Sequence, residues 1–261
     1  MRDILRGVRD GEISIDEAER QLRLTALEEI EDASLDIQRE ARAGLPEVVY
    51  GEGKTAGQVI EIISALLERD HPAIVTRASD TLADSVQQAL DDRYVIEFNR
   101  RARIIVGRKS GTEPVSTGRK IGIMTAGTTD IVVAEEARTI AEEMGCHVLT
   151  AYDIGIAGFH RHIEPLKHML AESVDVIVVV VGMEGALPSV IASLANVPVI
   201  GVPTSTGYGL GGKGIGALTT MLQSCSMGLS VVNIDNGVGA GAFAALIARR
   251  VASILQDGGS K

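Results

Sequence analysis

The sequence predicts an α/β protein in which a doubly wound parallel sheet is preceded by a smaller α+β domain. Three observations carry this. From Lys120 onward strand and helix patterns alternate strictly, the rhythm of repeated βα units with right-handed crossovers. The strand patterns there, most clearly Val176–Val181, are apolar without alternation, as in strands buried on both faces. Composition also divides: residues 1–118 carry a net charge of −7, while residues 119–261 carry −3 and 20 of the 29 glycines. The segment Arg108–Thr117 collects Gly, Pro, Ser and Thr between two strand patterns and reads as a linker. The expected domains are therefore 1–116 and 117–261.

In the first part, Asp3–Arg9 reads as a short helix. A second helix starts after Ser14, whose hydroxyl caps it with Glu17 three residues on. Leu22, Leu24, Leu27 and Ile30 continue it as a rough apolar stripe. Arg39 and Arg42 precede Gly44 and Pro46, then a short strand at Val48–Tyr50, then Gly51-Glu52-Gly53-Lys54-Thr55. A glycine-flanked lysine before a helix is either a surface turn or an anion site, since helix N-termini favour anions. The spacing departs from the full phosphate-loop pattern. A helix at Ala56–Glu68, with Val59, Ile62, Ile63 and Leu66 on one face, leads to a strand at Ala73–Thr76. A helix at Thr81–Leu90 and strands at Tyr94–Phe98 and Ile104–Val106 complete a small α+β unit. The run Arg100-Arg101-Ala102-Arg103 reads most simply as a solvated strand edge that resists edge pairing, with contact to an anionic ligand as the alternative.

In the second part, strands are expected at Ile121–Met124, His147–Tyr152, Val176–Val181, Val199–Val202 and Leu229–Ile234. Helices are expected at 131–144, 161–172, 186–195, 212–224 and 239–255. Ligands of such sheets bind beyond the carboxyl ends of the strands, where the strand order reverses, so four loops matter most. Thr125-Ala126-Gly127-Thr128-Thr129-Asp130 is either an anion cradle or an ordinary cap by Thr129 or Asp130. Asp153–His160 leads into Arg161 and offers His160, which either moves protons near neutral pH or serves as a capping or packing histidine. Gly182-Met183-Glu184-Gly185 sets a carboxylate between glycines after a buried strand, which favours function. Pro203–Gly216 is rich in glycine, which suits a mobile or phosphate-approaching loop. Cys225 lies between a helix pattern and a strand pattern, beside Ser224, Ser226 and Gly228. A turn thiol there is accessible, although a lone cysteine often packs as a small hydrophobe. Cys146, next to Gly145, reads as structural.

Composition excludes several classes. A net charge of −10 argues against a nucleic-acid backbone as partner, and 3% aromatics with no Trp argues against base-stacking platforms. The longest apolar runs, Val176–Val181 and Ala242–Ala248, are too short to span a bilayer, and the mixed-charge N-terminus lacks an apolar signal core. A cytoplasmic protein without a membrane partner is expected. Two cysteines give neither a disulfide framework nor zinc-type spacing, and His160 and His162 are too close for a helical metal pair.

From Lys120 to Leu255 the chain resembles the PurE family of carboxyaminoimidazole ribonucleotide mutases. Gly127-Thr128-Thr129-Asp130 stands at its serine–aspartate loop, Ala157-Gly158-Phe159-His160-Arg161 at its serine–alanine–histidine–arginine segment, and Pro198–Pro203 at its apolar strand and turn. Longer motifs resemble LarB, the carboxylase/hydrolase of nickel-pincer nucleotide cofactor synthesis. These are Gly182–Ser189, Pro203-Thr204-Ser205 with Gly207-Tyr208-Gly209, Ser224-Cys225, Val232–Gly237 and, in the first part, Pro46–Thr55. Thr129 stands where serine is expected and keeps the hydroxyl; Met227 stands where proline is expected and loosens the turn after Cys225.

The resemblance implies a PurE-like sheet in flavodoxin-like layers and a cytoplasmic homo-oligomer, a dimer building up to an octamer. It also implies a small-molecule substrate, nicotinic acid adenine dinucleotide, whose pyridinium ring gains a carboxyl group from carbon dioxide or bicarbonate. Cutting of the phosphoanhydride then gives pyridinium-3,5-biscarboxylic acid mononucleotide and AMP. In these terms Cys225 is the nucleophile, Glu184 or His160 removes the ring proton, and Asp130 orients either or holds magnesium on the diphosphate. Gly127, Thr128, Thr129, Asp153, Gly182, Thr204, Ser205 and Ser226 contact substrate, and Lys54, Arg39 and Arg42 meet its phosphates. A PurE-type mutase, which needs no cysteine, and a nucleotide-sensing module without turnover are the competing readings.

Overall fold

A computed structural model describes residues 2–25, 28–30, 33–37 and 39–258. The chain forms two compact units, Met1–Phe98 with Ile105–Thr112, and Asn99–Ile104 with Glu113–Lys261.

The first unit opens with helices α1 (Arg2–Arg9) and α2 (Ile15–Thr25), the latter capped as expected by Ser14, whose Oγ accepts from the Glu17 amide at 3.1 Å. The apolar stripe does not extend the second helix. It stops at Thr25, and Ile30 belongs to strand β1 (Glu28–Ile30), which pairs antiparallel with β2 (Ala33–Leu35); Leu27 lies outside the described residues. After α3 (Arg39–Ala43) come β3 (Val48–Tyr50), α4 (Ala56–Leu67), β4 (Ala73–Thr76), α5 (Asp80–Ala89), β5 (Tyr94–Asn99) and β6 (Ile104–Lys109). The sheet order is β3-β4-β6-β5, with β3 parallel and β6 antiparallel to β4. The predicted face of α4 is buried: Val59, Ile62, Ile63 and Leu66 pack in one cluster with Val75, Val86 and Ile105. Residues 100–103 are not a strand edge. They form the turn between β5 and β6, with Ala102 buried and Arg103 in a left-handed conformation (φ 54°). The linker is also shorter than expected, because Arg108 and Lys109 complete β6.

The second unit is a five-stranded parallel sheet of β7 (Lys120–Thr125), β8 (His147–Ala151), β9 (Val176–Val181), β10 (Val199–Pro203) and β11 (Leu229–Val231), in the order β11-β10-β9-β7-β8. Between and after them run α6 (Ile131–Glu143), α7 (Ile163–Ala171), α8 (Leu187–Leu194), α9 (Ile215–Leu222) and α10 (Gly237–Gly258). All six residues of β9 are buried, which explains its unbroken apolar run. The strand order reverses between β7 and β9, the crevice where such sheets bind ligands. The apolar run Ala242–Ala248 proves to be the middle of the longer helix α10, whose stretch Gly237–Leu255 is long and apolar enough by composition to cross a membrane. That helix packs against α6 and the sheet through buried Ala240, Ala244, Ala245 and Ala248.

Between β8 and α7 a 3-10 segment, Ile156–His162, replaces the first turn of the predicted helix. It buries His162 completely, with the Phe159 ring edge-on at 4.7 Å and neither ring nitrogen hydrogen-bonded among the described residues. Burial pushes this imidazole below its ordinary value of about 6.5. The folded state therefore binds this proton less readily than the unfolded chain. The stability contributed by this group is complete above about pH 6.5 and declines as pH falls from there through the depressed native value. We expect His162→Phe, which keeps the ring contact, to flatten the loss of melting temperature between pH 7 and pH 5. Parallel losses in the two proteins would contradict this account.

Candidate functional site

A cavity of about 370 Å³ opens at the switch point of the second sheet. It is lined by the loops after four strands: Gly127, Thr129 and Asp130 after β7; Gly155–Ala157 after β8; Gly182–Glu184 after β9; Thr206 and Tyr208 after β10. Its lining holds two carboxylates, Asp130 and Glu184, and no Lys, Arg or His.

Side-chain hydrogen bonds tie these loops together. Thr125 Oγ1, fully buried, accepts from the Asp153 amide at 3.0 Å and joins the ends of β7 and β8. Asp130 is only 3% exposed and links β7 to β10. Its Oδ1 accepts from the Thr204 and Thr206 hydroxyls at 2.7 and 3.1 Å, and its Oδ2 from the Gly127 amide at 3.0 Å. The Asp235 carboxylate accepts from the Ser205 amide at 2.8 Å and joins β10 to β11. The loop after each of the last four strands also holds one non-glycine residue in the left-handed region: Asp153 (φ 59°), Met183 (46°), Lys213 (58°) and Asp235 (54°). Such strain collects where surrounding structure over-determines a site.

The glycine-rich segment before α9 is not a loose loop. A Cβ on Gly207 would lie 3.2 Å from the Met183 amide nitrogen, and one on Gly185 would lie 2.6 Å from the Ala217 Cα. Glycine here allows backbone to pack on backbone, which holds the turn carrying Glu184 against the turn carrying Tyr208.

The structure sorts the expected site residues. Glu184 is exposed into the cavity and takes no hydrogen bond or ion pair among the described residues. Gly127, Thr129 and Gly182 line the cavity; Thr128 is exposed beside it and Thr204 is buried beneath it. In the β7 loop the Asp130 carboxylate takes the Gly127 amide, which withdraws that amide from an anion cradle. Asp130 does not fit a magnesium role either. It accepts three hydrogen bonds in a buried position, which commits its oxygens to the loops. His160 is exposed and does not line the cavity, while Asp153 forms an exposed pair with Arg161 at 3.6 Å. Ser205 is exposed, with its amide held by Asp235.

Cys225 and Ser226 stand elsewhere. They lie between α9 and β11, at the amino edge of the sheet, where the carbonyl of Gly228 receives the first amide of β10. Cys225 is exposed, whereas Cys146 is buried, with its thiol pushed up by that burial. The arginines expected at phosphates belong to the first unit and have carboxylate partners there: Arg42 with Asp36, and Arg39 with Glu47 at 3.4 Å. Lys54 is exposed in that unit, and the helix start beside it is closed by a reciprocal cap. Thr55 Oγ1 accepts from the Gln58 amide at 3.3 Å, and Gln58 Oε1 accepts from the Thr55 amide at 3.0 Å.

Sequence reasoning did not single out Thr206 or Lys213, and it named Tyr208 only as part of a family motif, with no role. The available signal was one hydroxyl, one aromatic and one cation inside a run of glycines.

Comparison with known proteins agrees with this division of the chain. Residues 27–109 match the LarB/PurE-like N-terminal domain family, and residues 120–258 match the AIR carboxylase family. An uncharacterised protein of Methanocaldococcus jannaschii is 50% identical over 252 residues, covering 95% of this chain and 97% of the relative. N5-carboxyaminoimidazole ribonucleotide mutases are similar over the second unit. That of Pyrococcus horikoshii is 35% identical over 51% of this chain and 72% of its own length. That of Thermotoga maritima is 31% identical over 49% and 74% respectively.

Proposed function

The chain belongs to the LarB family, which joins a LarB/PurE-like N-terminal domain to an AIR carboxylase domain, and from that membership we propose that it carboxylates nicotinic acid adenine dinucleotide. The products are pyridinium-3,5-biscarboxylic acid mononucleotide and AMP. Membership supports an enzyme of the carboxylase and mutase type. The finer reading rests on one observation: the charged groups lining the cavity are both carboxylates. An acidic, partly apolar cavity suits a cationic aromatic ring, because opposite charges attract most strongly where water is excluded. Both candidate substrates carry phosphate charge, so the feature that separates them is the ring, cationic in the dinucleotide and neutral in an imidazole ribotide.

The chemistry gives Glu184 and Cys225 distinct roles. A pyridinium ring is electron-poor and does not attack carbon dioxide. Addition of the Cys225 thiolate forms a carbon–sulfur bond and turns the ring into a dihydropyridine, whose enamine carbon at position five is nucleophilic. That carbon attacks carbon dioxide. Glu184 takes the proton from the same carbon, and the electron pair returning to the ring expels the thiolate. One ring proton is thus exchanged for one carboxylate, and the cysteine is regenerated. Asp130 holds the Thr204 and Thr206 hydroxyls and so positions the loop beside the ring. Magnesium remains in the reading only as a companion of the substrate diphosphate, and no step is assigned to it.

Incubation of the protein with nicotinic acid adenine dinucleotide and bicarbonate, with and without magnesium, tests the reading by mass spectrometry. The expected products are AMP and a mononucleotide heavier by one carboxylate. Turnover of carboxyaminoimidazole ribonucleotide in its place would establish the mutase reading, which the relatives named above favour. Tight binding of the dinucleotide without turnover would establish a sensing module.

A further inference from the structure

Resting on that reading of the cavity, we propose that Tyr208 is the platform on which the adenine of the dinucleotide stacks, and that it sets a preference for dinucleotide over mononucleotide. At about 370 Å³ the cavity lies near the lower end of the usual range for small-molecule pockets, about 300–1,000 Å³. It has room for one ring with its ribose, so the other half of a dinucleotide extends past the mouth. Tyr208 stands at that boundary: it lines the cavity, yet 79% of it is exposed. Its backbone is extended (φ −126°, ψ 179°) between Gly207, packed on Met183, and Gly209 in the left-handed region (φ 75°). This mount fixes the backbone, so a stacking ligand has less freedom to freeze out.

Tyr208 makes no side-chain hydrogen bond, ion pair or ring contact among the described residues, so nothing within the fold accounts for the placement of its ring. Of the exposed aromatic side chains Tyr50, Phe159, Tyr208 and Phe243, Tyr208 is the most exposed and the one that lines the cavity. Met183, which is 46% exposed and also lines the cavity, places a second apolar side chain beside it. A flat ring beside an apolar side chain suits an adenine base, and the carboxylates of the cavity suit the pyridinium half, so the two ends of one ligand meet complementary chemistry.

The test is calorimetric titration of wild type, Tyr208→Ala and Tyr208→Phe with nicotinic acid adenine dinucleotide and with nicotinic acid mononucleotide, without bicarbonate. Particle mass is followed by light scattering. Tyr208→Ala is expected to weaken the dinucleotide by about tenfold, as loss of one base stack does, while leaving the mononucleotide within twofold of wild type. Tyr208→Phe, which keeps the ring, should hold both affinities. Equal weakening of both ligands, or a fall in particle mass in Tyr208→Ala, would overturn the proposal, the latter by assigning the ring to contact with a second copy. Wild type that binds neither ligand would overturn the cavity reading together with this proposal. Wild-type binding of the dinucleotide that Tyr208→Ala leaves unchanged would overturn this proposal alone.

Discussion

Cys225→Ser is expected to abolish carboxylation while leaving the fold and dinucleotide binding intact. Cys225 is exposed and follows α9 in a turn, so its replacement by serine removes no core contact. The chemical loss is large, because a neutral hydroxyl adds poorly to a pyridinium ring and an alkoxide leaves it poorly, whereas thiolate does both. Carboxylation by Cys225→Ser at the wild-type rate would end the thiol mechanism. Such an outcome would return weight to a mutase, in which the same substitution is silent.

The position of Cys225 makes a second demand on the mechanism. The loops around the cavity follow β7 to β10 and lie at the carboxyl edge of the sheet, while Cys225 precedes β11 at the amino edge. A strand of five residues spans about 17 Å, so one ring cannot meet both Glu184 and the Cys225 of the same chain in this arrangement. The alternative in which the glycine-rich segment carries α9 out of its layer does not apply, since that segment packs on the Glu184 turn and α9 buries Ala217 and Met221 in the regular layer. On the thiol mechanism, the thiol at each cavity is therefore expected to come from a neighbouring copy of the chain, which the mixed-chain experiment below tests. The exposed Leu222 and Met227 on either side of Cys225 suit an apolar contact of that kind.

The second unit was legible because parallel strands buried on both faces read as apolar runs, and each was followed or preceded by a helical pattern at its own period. Topology alone also placed Glu184 at one edge of the sheet and Cys225 at the other. Other features depended on contacts that no single stretch of sequence encodes. His160 and His162 look alike in sequence, and only the 3-10 segment decides that the second is buried and the first exposed. The glycines at 207–216 were compatible with mobility or with close packing, and the backbone of Met183 decides for packing. Arg39 and Arg42 resembled a phosphate clamp because Asp36 and Glu47, their partners, are ordinary surface acids in the sequence. The three-residue strands β1 and β2 are too short to express a period, so an apolar stripe of helical spacing misled there.

Glu184→Gln is expected to lower turnover by about 10²–10⁴-fold, the usual contribution of a positioned general acid or base. The melting temperature should stay within a few degrees of wild type. The substitution is nearly isosteric and its site exposed, and the strained turn around it is held by Met183 and Gly185 rather than by the carboxylate. Because this carboxylate has no partner among the described residues, it is available to take the ring proton, whereas the three hydrogen bonds to Asp130 commit that acid to the scaffold. The loss should fall mainly on kcat, since proton removal belongs to the transition state. A rise in KM at unchanged kcat would instead mark Glu184 as a counter-charge for the bound ring. The same variant tests the sharing of sites between chains. Co-expression of Glu184→Gln, strongly impaired alone, with inactive Cys225→Ala creates some cavities in which an intact Glu184 from one chain faces an intact Cys225 from its neighbour. Partial recovery of carboxylation is the expected result. A fully active monomer, or a mixed oligomer without activity, would require both groups to act within one chain and so would contradict the edge-to-edge geometry.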